Sequence, residues 1–463
     1  MGQGRKSAKP TIRRSTAIAG IPAIQPQVAG IDLGSERHFV CAPSLGGEGR
    51  EVASFGATTP ELYAMRDWLK ARKVESVAME STGVYWIAPH EVLEAGGLPV
   101  LLADAKHMAG VAARDEKSDP TDCEWIQRLH SVGMLKGAHR PPEQICMLRT
   151  LVRDRATLVA EAGDWIRRMQ KSLDQMNVRV HRAVSDLNGQ TGLAILRAIV
   201  KGERDPVKLA QLRDRRCHKS EAEIAEQLSG HWREDHLFSL SRGLEMYDQI
   251  QRQIETYDGE ILRKLDVMRR ADTPGPAPPL ENGRRQRKIE QHKQEPLRQA
   301  LYGISGRDLT RIDGIGVETE LTLLSEHGVD LSSFPTEKKF IRYLRLAPNR
   351  PTSGGKVVKK KRTMTSTRVA GALRMAAQSM RNSATALGAY YRSVARRKGA
   401  DVAIFATARK LAQYVYRTMR YGQNYVDIGA QDWEKQYQQR RLAHLRSSAK
   451  GLGYQLLPTG PSV

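Results

Sequence analysis

Residues 28–35 read Val28-Ala29-Gly30-Ile31-Asp32-Leu33-Gly34-Ser35. A short apolar run that closes on an acid and then a turn glycine describes a buried strand carrying a carboxylate to its end. Downstream, a second strand over Val74–Met79 ends at Glu80, inside Met79-Glu80-Ser81-Thr82-Gly83. Ser118-Asp119-Pro120-Thr121-Asp122 then places two acids three residues apart at a helix start, where both carboxylates can face one way. Asp32, Glu80, Asp119 and Asp122 thus form an oxygen-only donor set, which suits Mg²⁺ or Mn²⁺. Two such ions about 4 Å apart would stabilise the attacking and leaving oxygens of an in-line phosphodiester displacement.

Each piece also has an ordinary meaning. Asp119-Pro120-x-Asp122 is what a helix N-cap looks like, with acid at the cap and proline at the first helical position. Asp32-Leu33-Gly34 is a common strand-to-turn ending, and Glu80 alone reads as a surface acid. The metal-site reading rests on their combination and order.

Working outward, strands are predicted over 28–33, 38–42 and 51–55, with turns through Gly34-Ser35-Glu36 and a Gly-rich stretch. A helix follows from Thr59, with Thr59 as cap and Pro60 at its first position. Then come the strand to Glu80, a helix over 85–95, a strand over 98–103 and a further helix. The order β-β-β-α-β-α-β-α gives a mixed sheet with helices on its faces. It is the order of the α/β ribonuclease H-like (RuvC-like) fold, expected over residues 28–140. After Pro141-Pro142, Ile145, Leu148, Val152, Leu158, Trp165, Met169, Leu173, Met176 and Val180 mark one face of a helix about forty residues long. A second long amphipathic helix is read from Leu240 to Met268. The pair suggests an antiparallel coiled coil or an oligomerisation arm within a helical region over 141–300. Residues 183–235 read as helical without an assignable role. A Pro-rich linker and a basic run occupy 273–288.

A mainly α-helical region is expected over 301–430. It opens with Leu309-Thr310-Arg311-Ile312-Asp313-Gly314-Ile315-Gly316-Val317-Glu318-Thr319, read as helix, glycine turn, helix. Such a hairpin aims backbone N–H groups, here around Gly314 and Gly316, at a phosphate. Next come Thr352-Ser353-Gly354-Gly355-Lys356 and the run Lys359-Lys360-Lys361-Arg362. Ser-Gly-Gly triplets are ordinarily flexible loops. Here Gly354 and Gly355 leave the backbone free to approach a phosphate, and Lys356 offers charge neutralisation beside Ser353. Residues 431–463 read as a loose, basic tail.

The totals agree with a nucleic-acid partner. The 463 residues carry 74 Lys+Arg against 51 Asp+Glu, a net charge of +23. That imbalance describes a phosphate-backbone partner rather than a fold. Aromatic content of 6% argues against base stacking as the main source of affinity. No apolar run approaches the ~20 residues of a membrane span. Cys41, Cys123, Cys146 and Cys217 form no C-x-x-C pair, which argues against a zinc knuckle or disulfide framework and for a reducing, cytoplasmic setting. Residues 1–27 read as a disordered basic arm rather than a signal peptide.

These motifs resemble the transposases of the "IS one-ten" insertion-sequence family, bridge-RNA-guided recombinases with a DEDD RuvC-like domain and a C-terminal serine domain. The resemblance rests on G-I-D-L-G-S at 30–35, M-E-S-T-G-V-Y-W at 79–86, K-S-D-P-T-D at 117–122, I-D-G-I-G at 312–316, L-A-P-N-R-P-T-S-G-G-K at 346–356, L-R-M-A-A at 373–377 and A-R-K-L-A at 408–412. It covers roughly residues 28–180 and 305–425. It implies that Asp32, Glu80, Asp119 and Asp122 are metal ligands and Ser353 is the nucleophile. It implies homodimers or tetramers with composite active sites, double-stranded donor and target DNA, and a structured guide RNA in a prokaryotic, nucleoid-associated setting. The middle region is longer than the family's usual one, Met364-Thr365-Ser366-Thr367 replaces the usual K-x-G-N, and Cys123 stands where alanine is usual. Two other classes fit the same residues: a metal-dependent Holliday-junction-type nuclease using water, and a non-catalytic RNA-binding scaffold.

Overall fold

The computed structural model describes residues 22–46, 49–81, 83–103, 119–273, 275–347, 352–353, 356–357 and 367–457. The chain divides into two compact units, residues 1–140 and 141–463.

In the first unit, strand β1 (Val28–Leu33) lies in the middle of a five-stranded sheet with β2 (Arg37–Pro43), β3 (Arg50–Gly56), β4 (Ser76–Glu80) and β5 (Val100–Ala103). The spatial order is β3-β2-β1-β4-β5. The β1/β2 and β2/β3 pairs are antiparallel, and β1/β4 and β4/β5 are parallel. A central strand covered on both faces must be apolar throughout, which is why Val28, Ala29, Gly30 and Ile31 run without alternation and are all buried. One face carries Ala29, Ile31, Val77 and Met79 and packs on α1 (Thr59–Ala71) and α2 (Ile87–Ala95) through Leu62, Met65, Leu69 and Leu93. The opposite face is covered by α3 (Asp119–Ser131).

Boundaries differ from the sequence expectation in places. Thr58, not Thr59, is the extended residue at the start of α1, and its side chain makes no capping bond; Thr59 is already helical. The second helix begins at Ile87 rather than Tyr85, after a turn in which Gly83 adopts φ +61°. Ile24 and Gln25, assigned to the basic arm, donate backbone hydrogen bonds to the Ser131 carbonyl at the end of α3.

The second unit is helical. The long helices are α4 (Glu143–Gln175, 33 residues) and α9 (Glu234–Val267, 34 residues). The first is shorter than the expected forty because Asn177 enters the left-handed region at φ +58° and ends the run. They pack antiparallel. Leu148 shares a core with Ile261 and Leu265, Arg155 pairs with Asp258, and Gly243 lies against Met169. Between them α5 (Val180–Ala183), α6 (Gln190–Val200), α7 (Pro206–Ala210) and α8 (Glu221–Leu228) close a core over one end of the pair with Leu173, Ile195, Leu209, Ile224 and Leu240. This accounts structurally for residues 183–235.

Then follow α10 (Gly283–Gln291), α11 (Glu295–Ser305), a 3₁₀ turn (Leu309–Arg311), α12 (Val317–His327) and α13 (Glu337–Tyr343). The remaining elements are the strand pair β6 (Thr352–Ser353) and β7 (Lys356–Val357), α14 (Arg368–Ser379), α15 (Ala386–Lys398), α16 (Ala400–Tyr421) and α17 (Gly429–Gly451). The last is a 23-residue helix where the sequence reads as a loose tail. Among the described residues no helix is long and apolar enough to cross a membrane.

Candidate active site and its glycine hairpin

Strand register decides where the acids go. In the parallel β1/β4 pair, Gly30 lies beside Ala78 and Ile31 beside Met79. The next step along both strands brings Asp32 beside Glu80, at the two C-terminal ends. Side chains alternate, so Asp32 shares the face of Gly30, and Glu80 the face of Ala78. That face belongs to α3, since Ala78 packs with Ile126. A Cβ added at Gly30 would lie 2.2 Å from the Gln127 nitrogen and 2.5 Å from the Cys123 oxygen. Gly30 is therefore what lets α3 lie directly on the central strand.

The direction of α3 is fixed by its far end. The Gln127 amide donates to the Val28 carbonyl at 3.1 Å, and His130 Nε2 meets Ser76 Oγ at 2.9 Å. Val28 and Ser76 begin their strands, so α3 runs against β1 and its first turn lies at the strands' C-terminal edge. Asp122 is on that turn and precedes Cys123, which is buried over Gly30. Asp32, Glu80 and Asp122 are all half-buried. Asp119 opens the same helix, but its side chain lies outside the described residues. Among the described residues no group of three or more His, Cys, Asp or Glu is arranged closely enough to hold a metal ion. The carboxylates that the fold brings to one edge nevertheless suit a hard divalent ion by their chemistry. Burial, with Cys41, Glu124 and Asp32 nearby, pushes the Cys123 thiol up.

The glycine hairpin differs from its expected form. Its first arm is a three-residue 3₁₀ turn rather than a helix. Gly314 takes φ +86°, a backbone conformation that favours glycine, and Gly316 stands at the N-cap of α12 without a side-chain cap. The half-buried Arg285 donates to the carbonyls of Ile312, at 2.7 Å, and Ile315. It also pairs with Asp313 at 3.4 Å, and Tyr425 donates to the other Asp313 oxygen at 3.0 Å. The turn's carbonyls are thus occupied from behind. Arg285 reads in the sequence only as one member of the basic run 284–288, and no local signal marks it as the residue that shapes the hairpin.

Below the hairpin, Arg298 is 1% exposed. It donates to Asp308, to Thr310 Oγ1 at 3.2 Å, to Glu295 at 2.9 Å and to the Pro278 carbonyl at 2.6 Å. Burial acts to lower its pKa, but Asp308 and Glu295 outweigh that and hold it above its ordinary value. Glu320, also 1% exposed, accepts from the Leu309 N–H at 3.3 Å through one oxygen. Burial, with Asp308 alongside, pushes its carboxyl well above the usual range.

Ser353 pairs with Lys356 across β6/β7. Their side chains lie outside the described residues, as do Gly354, Gly355, Lys359, Lys360, Lys361 and Arg362 altogether.

Acids at the ends of neighbouring parallel strands, met by a helix start, are an arrangement that metal-assisted phosphodiester chemistry can use. A family model described as "Transposase" matches residues 29–178, across this sheet and the whole of α4. A second, "Transposase IS116/IS110/IS902 family", matches residues 306–392, across the hairpin and α12 to α15. No curated protein matches the chain. The chain is therefore a DNA transposase of the DEDD class, a class whose nuclease-like domain uses a divalent metal. It belongs to the IS110 family of insertion-sequence transposases.

Proposed function

We propose that this transposase is an RNA-guided recombinase that cuts DNA through a covalent serine intermediate. The observation that carries the reading is the placement of Asp32 beside Glu80 on the face covered by α3, whose first turn bears Asp122. Asp32, Glu80, Asp119 and Asp122 would hold Mg²⁺ or Mn²⁺. When bound, the ion supplies charge stabilisation to the phosphate under attack.

Residues 28–140 supply the acids and residues 301–430 the serine, in a homo-oligomer where the two come from different subunits. The Ser353 hydroxyl gives up its proton as its oxygen attacks the scissile phosphorus; the bond from phosphorus to the 3′ oxygen breaks, and that oxygen takes up a proton in its turn as it leaves. The phosphoserine bond conserves the phosphodiester's energy, so rejoining needs no nucleotide triphosphate. The amides of Gly314 and Gly316 and the side chains of Lys356, Lys359, Lys360, Lys361 and Arg362 hold the backbone, while a structured guide RNA selects donor and target by pairing.

The test uses end-labelled DNA carrying an element end, with guide RNA, run on a denaturing gel and followed by peptide mass mapping. The parent protein should give an adduct on Ser353 and Ser353→Ala none. Cleavage by Ser353→Ala at the parent rate without any adduct would make the enzyme a water-using nuclease instead.

A further inference from the structure

Helix α17 has no buried residue along its 23 positions. Its early turns are fastened to α15: Trp433 and Tyr437 stack at 5.2 Å with an interplanar angle of 7°, Trp433 meets Tyr390 edge-on at 6.1 Å, and the Arg397 guanidinium lies 5.7 Å from the Tyr437 ring centre. From Lys435 to Leu457 the chain carries Lys435, Arg440, Arg441, Arg446 and Lys450 and no Asp or Glu.

These charges continue a cationic surface. Lys410 is pushed below its ordinary value by burial and then by Arg417, with Arg440 and Arg409 adding to the effect and Glu337 opposing it. Tyr390, on α15 against Trp433 of α17, feels both Arg409 and Arg397. Cations gathered on three helices, with Glu337 already paired to Arg417 at 2.8 Å, repel one another in the free protein. A polyanion relieves that repulsion.

From this we infer that α17, with Arg397, Arg409 and Lys410, is a docking surface for the phosphate backbone of duplex DNA, built from residues that belong to neither the acid set nor the glycine hairpin. Charge complementarity commits the surface to a nucleic acid. Two features choose the duplex. The aromatic rings within α17 are engaged in the anchoring stack, so they do not serve as platforms for unpaired bases. A straight helix of this length spans about 34 Å, comparable to one turn of B-DNA. The contact is with phosphates, so it carries no sequence preference.

The experiment measures binding of the full chain to a random-sequence 40-base-pair duplex across a salt series. It is done in chelator, so the result is independent of metal chemistry and of whether Ser353 forms an adduct. Each neutralised phosphate contributes about −0.9 to the slope of log affinity against log salt. The variant R440Q/R441Q/R446Q/K450Q should lower the slope's magnitude by about 2 to 4 and weaken binding ~10-fold or more at low salt. Glutamine keeps the helix, and circular dichroism of the variant checks that it does. The control L442Q/L445Q should leave the slope unchanged. An unchanged slope in the quadruple variant overturns the proposal. So does a loss of affinity confined to a structured single-stranded RNA, or a change of mass by light scattering in L442Q/L445Q that alone accounts for weaker binding.

Discussion

Asp32, Glu80 and Asp122 sit half-buried where strands end and a helix begins, whereas Asp308 and Glu320 are enclosed beneath the hairpin of the second unit. The first set is brought together by backbone geometry: parallel register puts Asp32 beside Glu80, and Gly30 lets α3 come close enough to add Asp122. Around the second set the order of the chain depends on side chains, above all Arg298. Carboxylates at element ends remain within reach of a substrate, while enclosed ones set the shape of a loop. The two groups should therefore fail differently, one in chemistry and the other in stability.

The largest effect is expected at the first set. Asp32→Ala should lower strand cleavage by about 10³-fold or more, the scale of several kcal/mol of transition-state stabilisation. Duplex affinity in a gel-shift assay should barely change, and so should the melting temperature. A parallel fall in melting temperature would erase the distinction between the sets. Arg298→Ala should do the reverse, leaving Asp308 buried without its cation and costing about 3–5 kcal/mol of folding free energy in a denaturant titration. Activity per folded molecule should survive.

Gly30→Ala sharpens the comparison, because it perturbs the acid site through packing. The added methyl meets the α3 backbone, which cannot rotate away, so a cost near the upper end of the ~1–3 kcal/mol overpacking range is expected. Limited proteolysis should show earlier cuts in residues 22–131, and cleavage of DNA should fall with them.

The smallest effect is at Glu320. Its carboxyl is raised in the folded state, so its contribution to stability is fully present below the unfolded-state pKa and is lost as pH rises through the folded one. The loss runs at up to about 1.4 kcal/mol per pH unit. Glu320→Gln carries no such proton, so the melting temperature of the variant relative to the parent should rise between pH 5 and pH 8. A difference that stays constant with pH would mean that Glu320 is not protonated in the folded chain.

The strand ends that carry Asp32 and Glu80 and the helix start that carries Asp122 were readable in the sequence because they depend on short-range signals. An apolar run without alternation announces a strand buried on both faces, and the acid at its end is placed by chain order. Arg285 was not readable. Its partners Ile312, Asp313 and Ile315 are some thirty residues away, and nothing local separates it from the other cations of the run 284–288. Helix α17 was missed for the complementary reason: with no buried face it has no apolar stripe to betray its period. The expected forty-residue helix was overdrawn because Val180 continues the apolar spacing after Asn177 has already turned the backbone.

The antiparallel pairing of α4 and α9 makes the length of that arm, about 50 Å for 33 residues, a property with steps rather than a continuous one. Removing one residue from α4 rotates everything beyond it by a hundred degrees, and Arg155 no longer meets Asp258. Only matched changes in both helices, close to seven residues in each, preserve the seam. Insertions and deletions tolerated by the arm should therefore come in coupled pairs, whereas the loops joining the small helices between α4 and α9 can vary in length one residue at a time.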